Sequence, residues 1–191
     1  PAGRVDLLGY GVNRTDALVA ALDRIQADRI ERARAIVDRV QTRLSVTLDV
    51  AFEQGVGRPH IARAIADSDA DYDYREAFAQ LIGDGCPCYV PREIPDFETG
   101  RDLLAEACGL VALAHPFRYD DVEAALTLTD SLDGVERYYD YGREVDPRPI
   151  DRAIRRFDLV STGGSDAHDD TLGIAGLDGR DYRRFRATLT V

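Results

Sequence analysis

Leu110-Val111-Ala112-Leu113-Ala114-His115-Pro116 decides the fold class. Its first five residues form an unbroken apolar run of strand length. That pattern belongs to a strand covered on both faces, not to one with a wet side. Working outward, helical and strand-like stretches alternate. Residues 97–108 suit a helix closed by Gly109, and 120–129 suit another. Gly134-Val135-Glu136-Arg137-Tyr138-Tyr139 reads as a strand and 147–157 as a helix. Leu159-Val160-Ser161-Thr162 is again strand-like and runs into Gly163-Gly164-Ser165-Asp166-Ala167-His168. Repeated β-α units predict a parallel sheet or a barrel. In both, chemistry gathers at the carboxyl ends of the strands.

Upstream the pattern differs. Residues 4–10 read as a short strand, followed by a turn at Gly11-Val12-Asn13. Thr15 is a candidate N-cap, with Asp16 in the first turn where negative charge suits the helix dipole. Leu18, Leu22, Ile25, Ile30, Ala33, Ile36, Val37, Val40 and Leu44 then recur at helical spacing. They predict a long amphipathic helix with a break near Ala27-Asp28. Short helices are expected at about 48–54, 58–67 and 73–82. Asp67-Ser68-Asp69-Ala70-Asp71 between the last two lacks the Gly and closing Glu of an EF-hand loop, so it reads as a solvated turn. The expected division is therefore a helical block over 15–95 set between strand-bearing segments 1–14 and 96–191.

Composition bounds the function classes. All 24 basic residues are arginine, Asp outnumbers Glu by 26 to 9, and the net charge is −11. Such a surface repels nucleic-acid phosphate at long range, so stable duplex binding is not expected. An Asp-rich, Lys-free surface suits high salt, where screening shortens carboxylate repulsion; GC-rich codon usage is the alternative. No run nears the roughly 18 apolar residues needed to span a bilayer, and a cytoplasmic protein is the default expectation. Cys86, Cys88 and Cys108 lack the spacing of a redox or zinc motif and read as ordinary thiols. There is no Met, and the first residues already read as the middle of a strand unit, which leads us to expect a fragment.

Of the three histidines, two follow strand-like runs. His115 comes directly after the 110–114 run. Asp166 and His168 follow the 159–162 run across a Gly-Gly turn, and their i, i+2 spacing lets both reach one side of a loop. Imidazole nitrogen and carboxylate oxygen at neighbouring strand ends form a candidate site for zinc, manganese or iron. Taken singly, each residue has a plainer reading as a hydrogen-bonded or capping group.

These segments resemble a known family. Leu113-Ala114-His115-Pro116-Phe117-Arg118-Tyr119 is similar to the Ala-His-Pro motif of polymerase-and-histidinol-phosphatase (PHP) phosphoesterases. Gly163-Gly164-Ser165-Asp166-Ala167-His168 is similar to their closing Gly-Ser-Asp-x-His motif. Gly57-Arg58-Pro59-His60-Ile61-Ala62-Arg63 and Tyr89-Val90-Pro91-Arg92 resemble the helical insertion of one PHP branch, whose members include nucleotide phosphatases and a 5′-to-3′ exoribonuclease. The resemblance implies a partial, distorted (β/α)7 TIM-like barrel with an inserted helical subdomain. It implies His115, Asp166 and His168 as metal ligands in a centre of up to three divalent ions. In Val5-Asp6-Leu7-Leu8-Gly9-Tyr10, Asp6 stands where the family places a histidine, and a carboxylate can replace it as ligand. The family's opening His-x-His, the Asp and His after it and an upstream Glu have no counterpart here, so the fragment alone is expected to be a poor enzyme.

The implied activity of the intact protein is hydrolysis of a nucleotide or oligonucleotide phosphoester by metal-activated water, with no catalytic side chain beyond the ligands. Arg118, three positions after His115, suits bidentate pairing with phosphate; the alternative is a surface pair with Asp120 or Asp121. His60, at a helix start after Arg58-Pro59, is the second candidate for substrate contact. Glu136, Tyr138, Tyr139 and Tyr141 have no role assignable from sequence. The rival readings are a metal-dependent amidohydrolase on a similar barrel and a non-catalytic binding or regulatory domain.

Overall fold

The computed structural model describes residues 3–167 and 172–189. Among them the order is β1 (Leu7–Tyr10), α1 (Asp16–Leu44), α2 (Arg58–Ala66), α3 (Tyr74–Glu76), α4 (Phe97–Ala107), β2 (Leu110–Leu113), α5 (Val122–Thr127), β3 (Gly134–Tyr138), α6 (Arg148–Phe157), β4 (Val160–Gly163) and α7 (Gly179–Leu189). The chain divides into two compact units, one of Pro1–Leu18 with Pro95–Val191 and one of Val19–Ile94.

The first unit is α/β. Its described strands form one four-stranded mixed sheet in the order β1-β2-β3-β4. β2, β3 and β4 run parallel, as the alternating pattern predicts. β1 departs from an all-parallel sheet: it pairs antiparallel with β2, Leu7 opposite Leu113 and Tyr10 opposite Leu110. The reason lies in where the chain returns. Asp96 starts α4 by accepting the Thr99 N–H at 2.8 Å. α4 then leads to Gly109, whose N–H donates to Tyr10 O at 2.9 Å. The chain thus re-enters the sheet beside the end of β1 that it left, and the two strands meet as a hairpin does.

The unbroken apolar run is covered on both faces, as its composition requires. Val111 and Leu113 join Val135 and Leu159 in a layer with Ala125 and Leu126 of α5 and Ile150 and Ala153 of α6. Leu110, Ala112 and Val160 point the other way, against Leu8, Tyr10 and the α7 residues Phe185 and Leu189. Each fully buried Leu or Ile in such a layer contributes about 1.5–3 kcal/mol. Strand spacing is tight at Gly134, where a Cβ would lie 2.7 Å from Val160 O; glycine allows that approach.

The second unit is helical. Ile36 and Val40 of α1, Ile61 and Ile65 of α2, Leu81 and Ile82 form its core, with Cys88 fully buried among them. Two expectations are corrected here and a third is refined. α1 runs unbroken through Ala27-Asp28. Residues 48–54 are irregular rather than helical: Ser45 at φ 56° ends α1, and the Leu48 N–H is taken by Gln41 Oε1 at 2.8 Å. The segment is anchored instead by buried Leu48 and Val56. The expected 73–82 helix is a short α3 followed by a π-helical stretch, Ala77–Ile82. Asp73 and Glu76 open it with reciprocal bonds of 2.8 and 2.9 Å, and Gly83 closes it by donating to Phe78 O. Among the described residues, no helix is long and apolar enough to cross a membrane.

Candidate active site

Because β1 runs antiparallel, its amino end lies beside the carboxyl end of β2. That places Asp6 next to His115. The Ala114 N–H donates to Asp6 O at 3.0 Å. Tyr119 fixes the same junction: its hydroxyl accepts the Asp6 N–H at 2.9 Å and donates to Ala114 O at 3.0 Å. Burial pushes the Tyr119 phenol up to about 12, so the donor stays protonated at neutral pH. In the side chains, His115 Nε2 is 3.5 Å from Asp6 Oδ2.

His115 leaves β2 in an unusual backbone conformation, φ 25° and ψ 64°. A non-glycine residue there costs about 1–3 kcal/mol unless its surroundings impose it. Two neighbours do so. Pro116 disfavours the right-handed helical region for the residue before it, and the His115 N–H donates to Glu136 Oε2 at 2.8 Å. Glu136 sits on β3 and is 4% exposed. Burial raises its pKa; the bond from the His115 amide opposes the shift, and the charge of Asp166 adds to it. No role for Glu136 is visible in sequence, yet one signal exists. Period-2 alternation from Val135 puts this carboxyl on a covered sheet face, where an ionisable group calls for a reason.

Asp166 follows β4 and is also at positive φ, 44°. Tyr139 OH donates to its Oδ2 at 3.0 Å and accepts from Arg118 Nη1 at 2.7 Å. Arg118 Nη1 is itself 3.6 Å from Asp166 Oδ2. The Tyr139 and His115 rings meet edge to face with centroids 5.3 Å apart, so one tyrosine touches the imidazole, Asp166 and Arg118. Burial, and then the bond from Arg118 opposing it, leave the Tyr139 pKa above its ordinary value. The Tyr139 bond is the largest cause of a raised Arg118 pKa. Arg118 therefore turns to Tyr139 and Asp166 rather than to Asp121, whose carboxylate caps α5 by accepting the Ala124 N–H at 2.9 Å. Tyr139 was not legible as a site residue because the β3–β4 register slips between Glu136 and Tyr138, which breaks the alternation that would predict where it points.

The donors fit a divalent cation in kind. His115 Nδ1 is buried without a hydrogen-bond partner, the type of orphaned polar atom that calls for an ion or a catalytic role. The Asp6 carboxylate stands at the other ring nitrogen, Nε2, and Asp166 is linked to the ring through Tyr139; nitrogen and oxygen donors of this type suit zinc, manganese or iron. They do not form a closed cage: among the described residues no three His, Cys, Asp or Glu side chains gather closely enough to hold an ion. His168 lies outside the described residues.

His60 belongs to the helical unit. Its Nδ1 accepts the Gly57 N–H at 3.2 Å and so closes the first turn of α2. It also lines a cavity of about 260 Å³ with Asp49, Glu53, Arg63 and Asp67.

No family model matches the chain. Among curated proteins, it is 31% identical over 123 residues to a 3′,5′-nucleoside bisphosphate phosphatase of Chromobacterium violaceum, covering 61% of this chain and 43% of that protein. It is 29% identical to a phosphoribosyl 1,2-cyclic phosphate 1,2-diphosphodiesterase of Eggerthella lenta, covering 86% of this chain and 66% of that protein. It is 28% identical to a 5′-3′ exoribonuclease of Haemophilus influenzae, covering 86% and 64%. The chain thus spans from under half to about two thirds of the length of these relatives. Two solved structures share its fold. One is a Bifidobacterium adolescentis protein provisionally assigned as a metal-dependent phosphoesterase, with TM-score 0.69 and 22% identity, covering 95% of this chain and 70% of that one. The other is a Chromobacterium violaceum amidohydrolase with bound sulfate and no metal, with TM-score 0.70 and 24% identity, covering 96% and 72%.

Proposed function

We propose that the intact protein is a metal-dependent phosphoesterase of the PHP type, hydrolysing a phosphomonoester or phosphodiester of a nucleotide or oligonucleotide. The observation that carries the reading is the convergence of His115, Asp6, Asp166 and Arg118 at one end of the sheet. The three curated relatives, all named for phosphoester hydrolysis, support it. In the same reading the four strands belong to a TIM-like barrel, and residues 15–95 form the helical insertion of one PHP branch. Cytoplasmic location and adaptation to high salt complete it.

His115, Asp166, His168 and Asp6 would hold the divalent ions, up to three of manganese, zinc or iron. Such ions supply Lewis acidity and neutralise the charge that develops during attack on phosphorus. The chain's own contributions are orientation and charge. Tyr139 holds the Asp166 carboxylate and the Arg118 guanidinium at one hydroxyl. Arg118, with 56% of its side chain exposed, is free on its solvent side to form a charge-assisted fork with phosphate. His60 is proposed as a second substrate contact.

Alanine at Asp166 in the intact protein is expected to reduce manganese-dependent phosphate release to background; undiminished turnover refutes the assignment. Two controls address the rivals. Amide cleavage without phosphate release would make the protein an amidohydrolase, and an empty site at saturating manganese would make it a binding domain.

A further inference from the structure

We infer that Glu136 is a positioning residue for the imidazole of His115, acting through the His115 backbone N–H; this rests on the reading of His115 as a metal donor. The carboxyl is almost wholly buried, 4% exposed, on a strand flanked by two others. A charged side chain is costly at this position, since a buried carboxyl loses its hydration and here also faces the negative charge of Asp166. Its Oε2 accepts one short bond, 2.8 Å, from His115. That bond falls on the residue whose positive φ turns the chain out of β2. A left-handed turn at a residue with a Cβ does not hold itself, and the direction of the Cα–Cβ bond there sets where the ring points. Tyr119 and Tyr139 flank the ring at centroid distances of 5.6 and 5.3 Å. They limit its rotation, and Tyr119 also holds the Ala114 carbonyl just before it. Glu136 adds the constraint on the His115 N–H itself, from the neighbouring strand.

Two substitutions separate an acceptor role from a charge role. Glu136→Gln keeps an acceptor of the same reach and removes the charge. Glu136→Leu fills similar volume and leaves the His115 N–H without a partner. The readouts are the His115 imidazole resonances, assigned by their loss in His115→Ala among only three histidines, and zinc affinity by calorimetry, both on the intact protein. Glu136→Gln is expected to keep the resonances in place and zinc affinity within about threefold. Glu136→Leu is expected to shift them and weaken zinc by about 10–100-fold, the usual cost of losing a group that orients a ligand. The inference is overturned if Glu136→Leu leaves both readouts at wild-type values, or if Glu136→Gln falls as far as Glu136→Leu. Should the leucine variant not fold, Glu136→Gln decides alone: unmoved resonances support the inference and displaced ones overturn it. Neither readout involves turnover. A wild-type protein that binds zinc through His115 yet releases no phosphate would sink the proposed function and leave this inference standing. If zinc does not touch His115, the imidazole resonances alone decide.

Discussion

The two faces of the sheet are built from the same four strands and differ in kind. One face meets α5 and α6 with Val111, Leu113, Val135 and Leu159, all large and apolar. Its one charged strand residue, Arg137, is matched by Asp151 of α6 at 2.8 Å. The other packs Leu110, Ala112 and Val160, with Leu8 and Tyr10, against Phe185 and Leu189 of α7, but it also carries Gly134 and the buried polar residues Glu136 and Thr162. The first face carries stability and little else. The second gives up apolar area near the carboxyl ends of β2, β3 and β4, and there the backbone bends to positive φ at His115 and Asp166. In the proposed reading, function on this scaffold is a property of one end of the sheet.

If that division is right, the largest stability loss comes from the first face. Leu113 is fully buried, and Leu113→Ala should cost about 2–5 kcal/mol, the range for a core leucine that leaves a cavity. Denaturant titration measures it; a loss below about 1 kcal/mol would mean that this face is looser than its burial implies. On the second face the limit is spacing. A Cβ at Gly134 would sit 2.7 Å from Val160 O and 3.3 Å from Ala112 Cβ, so Gly134→Ala should cost about 1–3 kcal/mol by overpacking. A neutral result would show that β3 and β4 can separate.

Tyr139→Phe tests the functional end with little cost to the fold. The ring stays against His115, but Arg118 and Asp166 lose their common hydroxyl. Catalytic efficiency should fall about tenfold, within the range for removing a group that orients a ligand, while the thermal midpoint barely moves. Unchanged kinetics would show that Arg118 and Asp166 hold their positions by themselves, through a part-exposed pair that is worth little.

What was legible came from local pattern. β2, β3, β4, α4 and α6 announce themselves because side-chain periodicity and capping groups such as Asp96 act within a few residues. The placement of His115 and Asp166 at strand ends was legible for the same reason, each closely following a strand. The direction of β1 was not, because it depends on where α4 brings the chain back. Residues 48–54 failed as a helix because Ser45 turns left-handed and the Gln41 side chain takes the Leu48 N–H; apolar spacing carries no information about either. Nor does apolar spacing foresee that 77–82 takes the wider π turn. Glu136 and Tyr139 were missed because their partners come from other strand ends. One needed the bend at His115 and the other the register slip in β3.

The smallest expected effect is also the sharpest test of why a carboxyl occupies the covered second face. The Glu136 pKa lies above its ordinary value of 4.5, mainly through burial. Protonation therefore favours the folded state. Below the ordinary value both folded and unfolded chains hold the proton, and the group has no pH-linked effect. As pH rises from there through the raised folded value, the unfolded chain releases its proton first and stability falls. Glu136→Gln removes that dependence. The variant should be more stable than wild type at pH 7, and its advantage should shrink to a constant offset on acidification below about pH 4. Urea titrations of both proteins from about pH 3.5 to about pH 8 would show it. A wild type more stable than the variant at neutral pH would mean that the carboxylate has a compensating cation and that the second face is not the unstable one. An advantage for glutamine, together with an unmoved His115, would mean that this sheet is less stable than it could be at the point where it sets the imidazole.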